Sequence, residues 1–346
     1  MSAPAPISDR ARKVIAYSYD QFPVAAGHLD LRADNSPPLS QEFTRPVALA
    51  AAPAGGYGPV PGHTGLRSVL AAMFGVDRDQ VLITTGASEA LLLALTAVTD
   101  HGAPVAMPRP AFPGFEQLAG LLGVQVLPYA VPGATPRRGP VPVLVCSPHN
   151  PTGVETSPGR LGDGHGWVIW DLSHMSTAGP ELADFTAELG AQDIVVFSLS
   201  KLLRLPGARV GALIATDPAL LAAAARAKTH LSMSTSCLSQ DLALRVLNDP
   251  TAQRELSSRA AVFAEQRVTI LDAVAASPTV RAIPASAGTH VFVEHRGGHD
   301  AWEYLNAAGV VGIPGPVFNA PARFLRLCIA QPGPVIAAAA DRMRRL

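Results

Sequence analysis

Between residues 81 and 214 the chain alternates short, nearly continuous runs of Val, Ile and Leu with Ala- and Leu-rich stretches of helical period. The runs at 81–85, 104–107, 124–128, 141–146, 167–171, 194–198 and 210–214 read as strands, with helices expected over 88–98 and 115–122. A strand that is apolar on both faces must be covered on both faces, and strands separated by helices return in parallel. The chain is therefore expected to be α/β, with a large domain built on a mostly parallel sheet between helices. Ligands of such a sheet collect at the carboxyl ends of its strands, where the connecting loops meet. After Asp217 the pattern lengthens into helices over 218–231 and roughly 238–275, then alternates again. Strands at 290–294 and 324–329 and a closing amphipathic helix near 334–345 predict a smaller α+β domain. The expected division is an arm and part of the small domain at 1–38, the large domain at 39–230, and linking helices with the rest of the small domain at 231–346. The Pro- and Gly-rich stretch 132–140 reads as a surface loop.

The 346 residues carry 27 basic and 27 acidic side chains, with 16% charged and 48% hydrophobic residues. Balanced charge argues against nucleic acid or an anionic membrane as partner, and no apolar run approaches the ~18 residues of a membrane span. Cys146, Cys237 and Cys328 lie too far apart for a disulfide framework or a clustered zinc site. A reducing, cytoplasmic setting is expected, and residues 1–20 lack the apolar core of a secretory leader. The ten histidines show no metal-ligand spacing, so no metal site is expected.

Lys13, Lys201 and Lys228 are the lysines of the chain. Lys201 follows an apolar strand directly, in a setting where burial would lower its pKa and free the amine to attack a carbonyl. A lysine at a strand end is by itself usually a solvated terminus, but Arg209 follows within a Gly-containing segment, where a guanidinium could clamp a phosphate. Upstream, Asn150 sits in the run Pro148-His149-Asn150-Pro151-Thr152-Gly153 after a strand, and Asp171 closes another apolar strand. A carboxylate there is costly unless it meets a cation or strong donors, although it could simply cap the next segment. Gly86, Ala87 and Ser88 lie at a strand-to-helix junction whose N–H groups suit an anion, and Ser88 is equally a plausible N-cap.

Taken together and in this order, these motifs resemble the fold-type I pyridoxal-phosphate enzymes of the class I/II aminotransferase superfamily, from about residue 30 to the end. The most specific part is Asn-Pro-Thr-Gly, then Asp171, then Ser198-Leu199-Ser200-Lys201 with Arg209 eight residues on. The resemblance implies that Lys201 holds the cofactor as a Schiff base and moves the substrate proton. It implies that Asp171 keeps the pyridine nitrogen protonated and that Asn150 bonds the phenolic oxygen. Ala87, Ser88, Ser198 and Arg209 would form the phosphate cup, and Phe112 would stack on the ring unless it is ordinary core. Tyr57 would reach the phosphate of a neighbouring subunit, which implies a homodimer, and Arg326 would grip the substrate α-carboxylate.

Two departures stand out. His174 occupies the place where most relatives carry a tyrosine that donates to the phenolic oxygen, and a histidine there would change charge near neutral pH. The interval from Asn150 to Asp171 is short. The expected function is transfer of an amino group between an amino acid and a 2-oxo acid. The alternatives are elimination, replacement, cyclisation or oxidation by the same cofactor, and a non-catalytic ligand-binding relative.

Overall fold

The computed structural model describes residues 8, 12–15, 18–35, 56–175 and 180–346. The domain boundary expected between 38 and 39, and most of the first twenty residues, lie outside them. In chain order the strands are β1 (Leu29–Asp30), β2 (Val81–Thr84), β3 (Pro104–Arg109), β4 (Gln125–Ala130), β5 (Val143–Cys146), β6 (Val168–Asp171), β7 (Asp193–Ser198) and β8 (Gly211–Ala215). β9 (Val280–Ala282), β10 (His290–His295), β11 (Val310–Val311), β12 (Ile313–Pro314) and β13 (Phe324–Cys328) complete them.

Seven strands form the large sheet in the order β2-β8-β7-β6-β5-β3-β4. All run parallel except β8, which is antiparallel to both β2 and β7. The reversal has a local cause. The segment between β7 and β8 holds only the short helix Leu199–Leu202 and the 3-10 turn Pro206–Ala208, and the chain turns back at the same sheet edge instead of crossing to the other.

Alternate residues of each central strand enter different cores. Ile83, Val145, Trp170, Val195 and Phe197 pack on one face with Leu66, Leu70 and Phe74 of the helix Thr64–Phe74. Leu82, Leu144, Ile169, Ile194 and Val196 pack on the other, beneath the helices Gly86–Val98, Gly114–Leu122 and Pro218–Leu231. The Phe74 and Phe197 rings meet edge to face at 5.0 Å. Burying both faces explains the unbroken apolar strands, since each fully buried Val, Leu or Ile contributes roughly 1.5–3 kcal/mol. The exception is edge strand β4, half-exposed or exposed throughout.

The smaller sheet has the antiparallel order β12-β13-β10-β9. Near the other chain end, β1 pairs in parallel with β11, Leu29 against Val310. Leu31 joins the core of Ile270, Val293, Leu327 and Met343, so both chain ends build this unit. The helix expected over 238–275 is two helices, Cys237–Asn248 and Pro250–Ala275. Pro250 cannot donate the hydrogen bond that continuation requires, and the Asp249 carboxylate instead accepts from Thr251 and Ala252 N–H at 2.8 and 3.0 Å.

Candidate active site

The strand order brings the carboxyl ends of β2, β5, β6 and β7 to one edge, and the reversal of β8 adds its first residue, Gly211, beside Ser198 and Thr84. The backbone there is close-packed. A Cβ on Gly211 would lie 2.6 Å from the Gly86 carbonyl carbon and 2.6 Å from the Phe197 oxygen. Gly86 itself has φ of 74° and would put a Cβ 2.7 Å from Arg209 Nη2. The Arg209 guanidinium thus lies against the first turn of the helix Gly86–Val98, where unpaired N–H groups and the helix dipole already favour an anion. Its Nη1 donates to the Pro206 carbonyl at 3.3 Å. Ala87, Ser88 and Ser198 line the same end of a cavity of about 420 Å³.

Lys201 stands in the turn Leu199–Leu202 between buried Ser200 and Leu202. Its own side chain is exposed and lines the cavity, not buried as its apolar neighbours suggested. The short helix points those neighbours inward and the lysine outward. Asp171 is buried at 6% exposure, its Oδ1 accepting from Ser173 N–H at 2.9 Å. Burial pushes its pKa up, and the Ser173 bond offsets this only in part.

Across the cavity, Arg326 is 3% exposed on β13. Nη1 donates to Asn150 Oδ1 at 3.1 Å, Nη2 donates to the Arg32 carbonyl at 2.8 Å, and Nε is buried with no partner. Among the described residues no carboxylate pairs with it, although a buried guanidinium is costly without an anion. Asn150 Nδ2 lies 3.3 Å from His174 Nε2. With Oδ1 accepting from Arg326, the amide nitrogen donates, so the imidazole Nε2 accepts and its proton sits on Nδ1. Burial, with the nearby charges of Lys201 and Arg326, holds the His174 pKa well below the usual value. The change of charge expected near neutral pH is therefore suppressed, and His174 stays neutral. His290 packs its ring edge on His174 at 4.6 Å, and burial depresses its pKa likewise.

Ala87, Ser88, Phe112, Asn150, Asp171, His174, Ser198, Lys201, Arg209 and Arg326 all line this cavity. Tyr57 does not; it is 86% exposed. The cavity also gathers Tyr19, Gln117, His290 and Phe318, which the sequence motifs missed. His290 opens an apolar strand, and that is the one local signal that could have drawn attention to it.

Behind the helix Gly86–Val98, Lys228 is wholly buried and donates to Glu89 Oε2, Ser232 Oγ and Thr235 Oγ1 at 3.0, 2.9 and 3.2 Å. Burial alone would raise the Glu89 pKa, but the Ser232 hydroxyl, the Thr85 N–H and the Lys228 ammonium outweigh it and hold the carboxyl ionised. Removing one member leaves a buried charge unpaired, so Lys228→Met is expected to lose about 3–5 kcal/mol of stability. An unchanged denaturant midpoint would contradict this.

A family model of class I and II aminotransferases matches residues 19–342. The histidinol-phosphate aminotransferase of Stenotrophomonas maltophilia is 28% identical over 274 residues, covering 73% of this chain and 74% of that one. The valine–pyruvate aminotransferase of Mycobacterium tuberculosis is 28% identical over 271 residues, covering 69% and 68%. Among solved structures, the Thermus thermophilus α-aminoadipate aminotransferase LysN, complexed with N-(5'-phosphopyridoxyl)-L-leucine, superposes with TM-score 0.80 at 24% identity over 98% of this chain and 96% of that one. With the cations and the carboxylate gathered around one cavity, the chain belongs to the class I and II aminotransferase family and is an aminotransferase-type enzyme.

Proposed function

We propose that the chain is a pyridoxal-phosphate-dependent aminotransferase that moves an amino group between an amino acid and a 2-oxo acid. The observation that carries this reading is the meeting, among the described residues, of Lys201, Arg209 and Arg326 with the one carboxylate of Asp171 in one cavity. Three cations against one anion suit a ligand with a phosphate and a partner with a carboxylate. The residues present fit the cofactor: a helix N-terminus with Arg209 against it, a buried carboxylate short of partners, and an open amine.

When bound, pyridoxal phosphate supplies an aldehyde that condenses with amines and a ring that accepts the electrons released at the substrate Cα. Lys201 would hold the aldehyde carbon through its amine and, as a free amine, would carry the substrate proton between Cα and C4′. Asp171 keeps the ring nitrogen protonated, and a cation beside it offsets the desolvation that raises its own pKa. Asn150 and neutral His174 orient the phenolic oxygen. Ala87, Ser88, Ser198 and Arg209 hold the phosphate, and Phe112 covers a ring face. Arg326 takes the α-carboxylate as the anion its buried fork lacks.

The large domain, 39–230, would supply the cofactor groups, and the small domain, built from 1–38 and part of 231–346, would supply Arg326. Tyr57, exposed and outside the cavity of its own chain, fits a homodimer in which it reaches the neighbouring phosphate. All three cysteines are free, in keeping with a reducing, cytoplasmic setting.

The test follows from where the substrate's electrons go. Given a panel of amino acids anaerobically and without acceptor, at least one should convert the bound cofactor stoichiometrically to pyridoxamine phosphate, and a 2-oxo acid should reverse it. Many turnovers without acceptor, or oxygen uptake in a parallel aerobic run, would instead assign elimination, replacement, cyclisation or oxidation.

A further inference from the structure

Among the described residues, the wall of the cavity that the cofactor and α-carboxylate roles leave unused carries no charged side chain. Gln117 and Leu118 face it from the helix Gly114–Leu122, and Phe318 and Tyr19 close it from the small domain and the N-terminal segment. The position of Tyr19 is built in. Ile15 N–H donates to Gln117 Oε1 at 2.8 Å, which lays the N-terminal segment against that helix. Arg32 Nη1 donates to the carbonyls of Tyr19 and Phe22 at 2.8 and 2.6 Å, while its Nε and Nη2 grip Asp30 at 2.9 and 2.8 Å. The Arg32 carbonyl is also the acceptor for Arg326 Nη2. One residue thereby fixes both the aromatic cover and the buried fork.

Among the described lining residues the cations are Lys201, Arg209 and Arg326 and the carboxylate is Asp171, and the aminotransferase reading assigns all four to the cofactor and the α-carboxylate. His174 and His290 are neutral, held so by burial. A carboxylate or phosphate on the substrate side chain would meet no counter-charge among the described residues of this wall, and burying it so is costly.

We infer that the amino acid this site takes has an uncharged, apolar side chain, received by Tyr19, Leu118 and Phe318. The inference rests on the aminotransferase reading for the placing of Arg326 and Arg209, and it concerns only the side-chain end of the site.

The test titrates the holoenzyme with leucine, methionine, phenylalanine, alanine, aspartate, glutamate and histidinol phosphate. The cofactor absorbance change on binding gives an apparent Kd, and its later decay gives a rate. An apolar amino acid should exceed aspartate, glutamate and histidinol phosphate in rate over Kd by at least about a hundredfold. Preference for any of those three would overturn the inference, including the case where a second copy delivers a cation, and would leave the aminotransferase reading standing. If turnover continues without acceptor, that reading fails, yet the binding constants still rank the panel. Tyr19→Ala should lower the ratio of leucine to alanine reactivity about tenfold, and an unchanged ratio would overturn the wall as drawn.

Discussion

Lys201→Ala is expected to lose at least about a thousandfold in turnover, because the base that moves the proton is itself worth roughly 10²–10⁴ and the covalent hold on the cofactor goes with it. The structure sharpens the accompanying chemical test. Lys228 is wholly buried with Glu89, Ser232 and Thr235 on its three protons, and Lys13 lies on the exposed N-terminal segment. Borohydride reduction of the holoenzyme followed by peptide mapping should therefore place the label on the peptide of Lys201 alone. Label on Lys13 or Lys228 would sink the assignment, whatever the activity of the variant. Folding should be unaffected, since the Lys201 side chain is exposed and donates no hydrogen bond among the described residues.

Arg326→Ala should weaken use of every amino acid by roughly 2–5 kcal/mol, about thirtyfold to several thousandfold in kcat/KM, the range measured when one partner of a buried charge pair is cut away. Cofactor content should hold, because among the residues assigned to the cofactor the guanidinium hydrogen-bonds Asn150 alone and touches none of the phosphate-holding groups. Arg326→Lys should rescue little, as an ammonium cannot reproduce a planar fork that also bonds the Arg32 carbonyl. Unchanged kcat/KM across an amino-acid panel in the alanine variant would refute the role.

The two chain ends explain what could and could not be read from sequence. Asn150, Asp171 and Lys201 are legible because each stands where an apolar strand stops, so the local pattern gives both the residue and its position at the sheet edge. Tyr19, His290 and Phe318 reach the same cavity only after β1 has paired with β11 and the small sheet has packed, and no local spacing encodes that. The charge state of His174 was misread for a related reason, since burial and neighbouring cations are properties of the folded site. The break at Asp249 and Pro250 was available in the sequence as a cap followed by proline, and the apolar periodicity on either side masked it. Strand β8 was legible as a strand; its direction was not, because direction follows from how the preceding connection folds back on the sheet edge.

That single reversed strand decides how the site is measured out. A parallel return would carry the chain to the far edge of the sheet and leave Lys201 and Arg209 on different loops, each free to drift with its own neighbours. The short antiparallel return sets both on one tether anchored at Ser198 and Gly211, which stand side by side in the sheet. The spacing of eight residues then behaves as a stiff ruler between the reactive amine and the anion seat, because Leu202, Leu203 and Val210 pin the tether into the core on one face of the sheet.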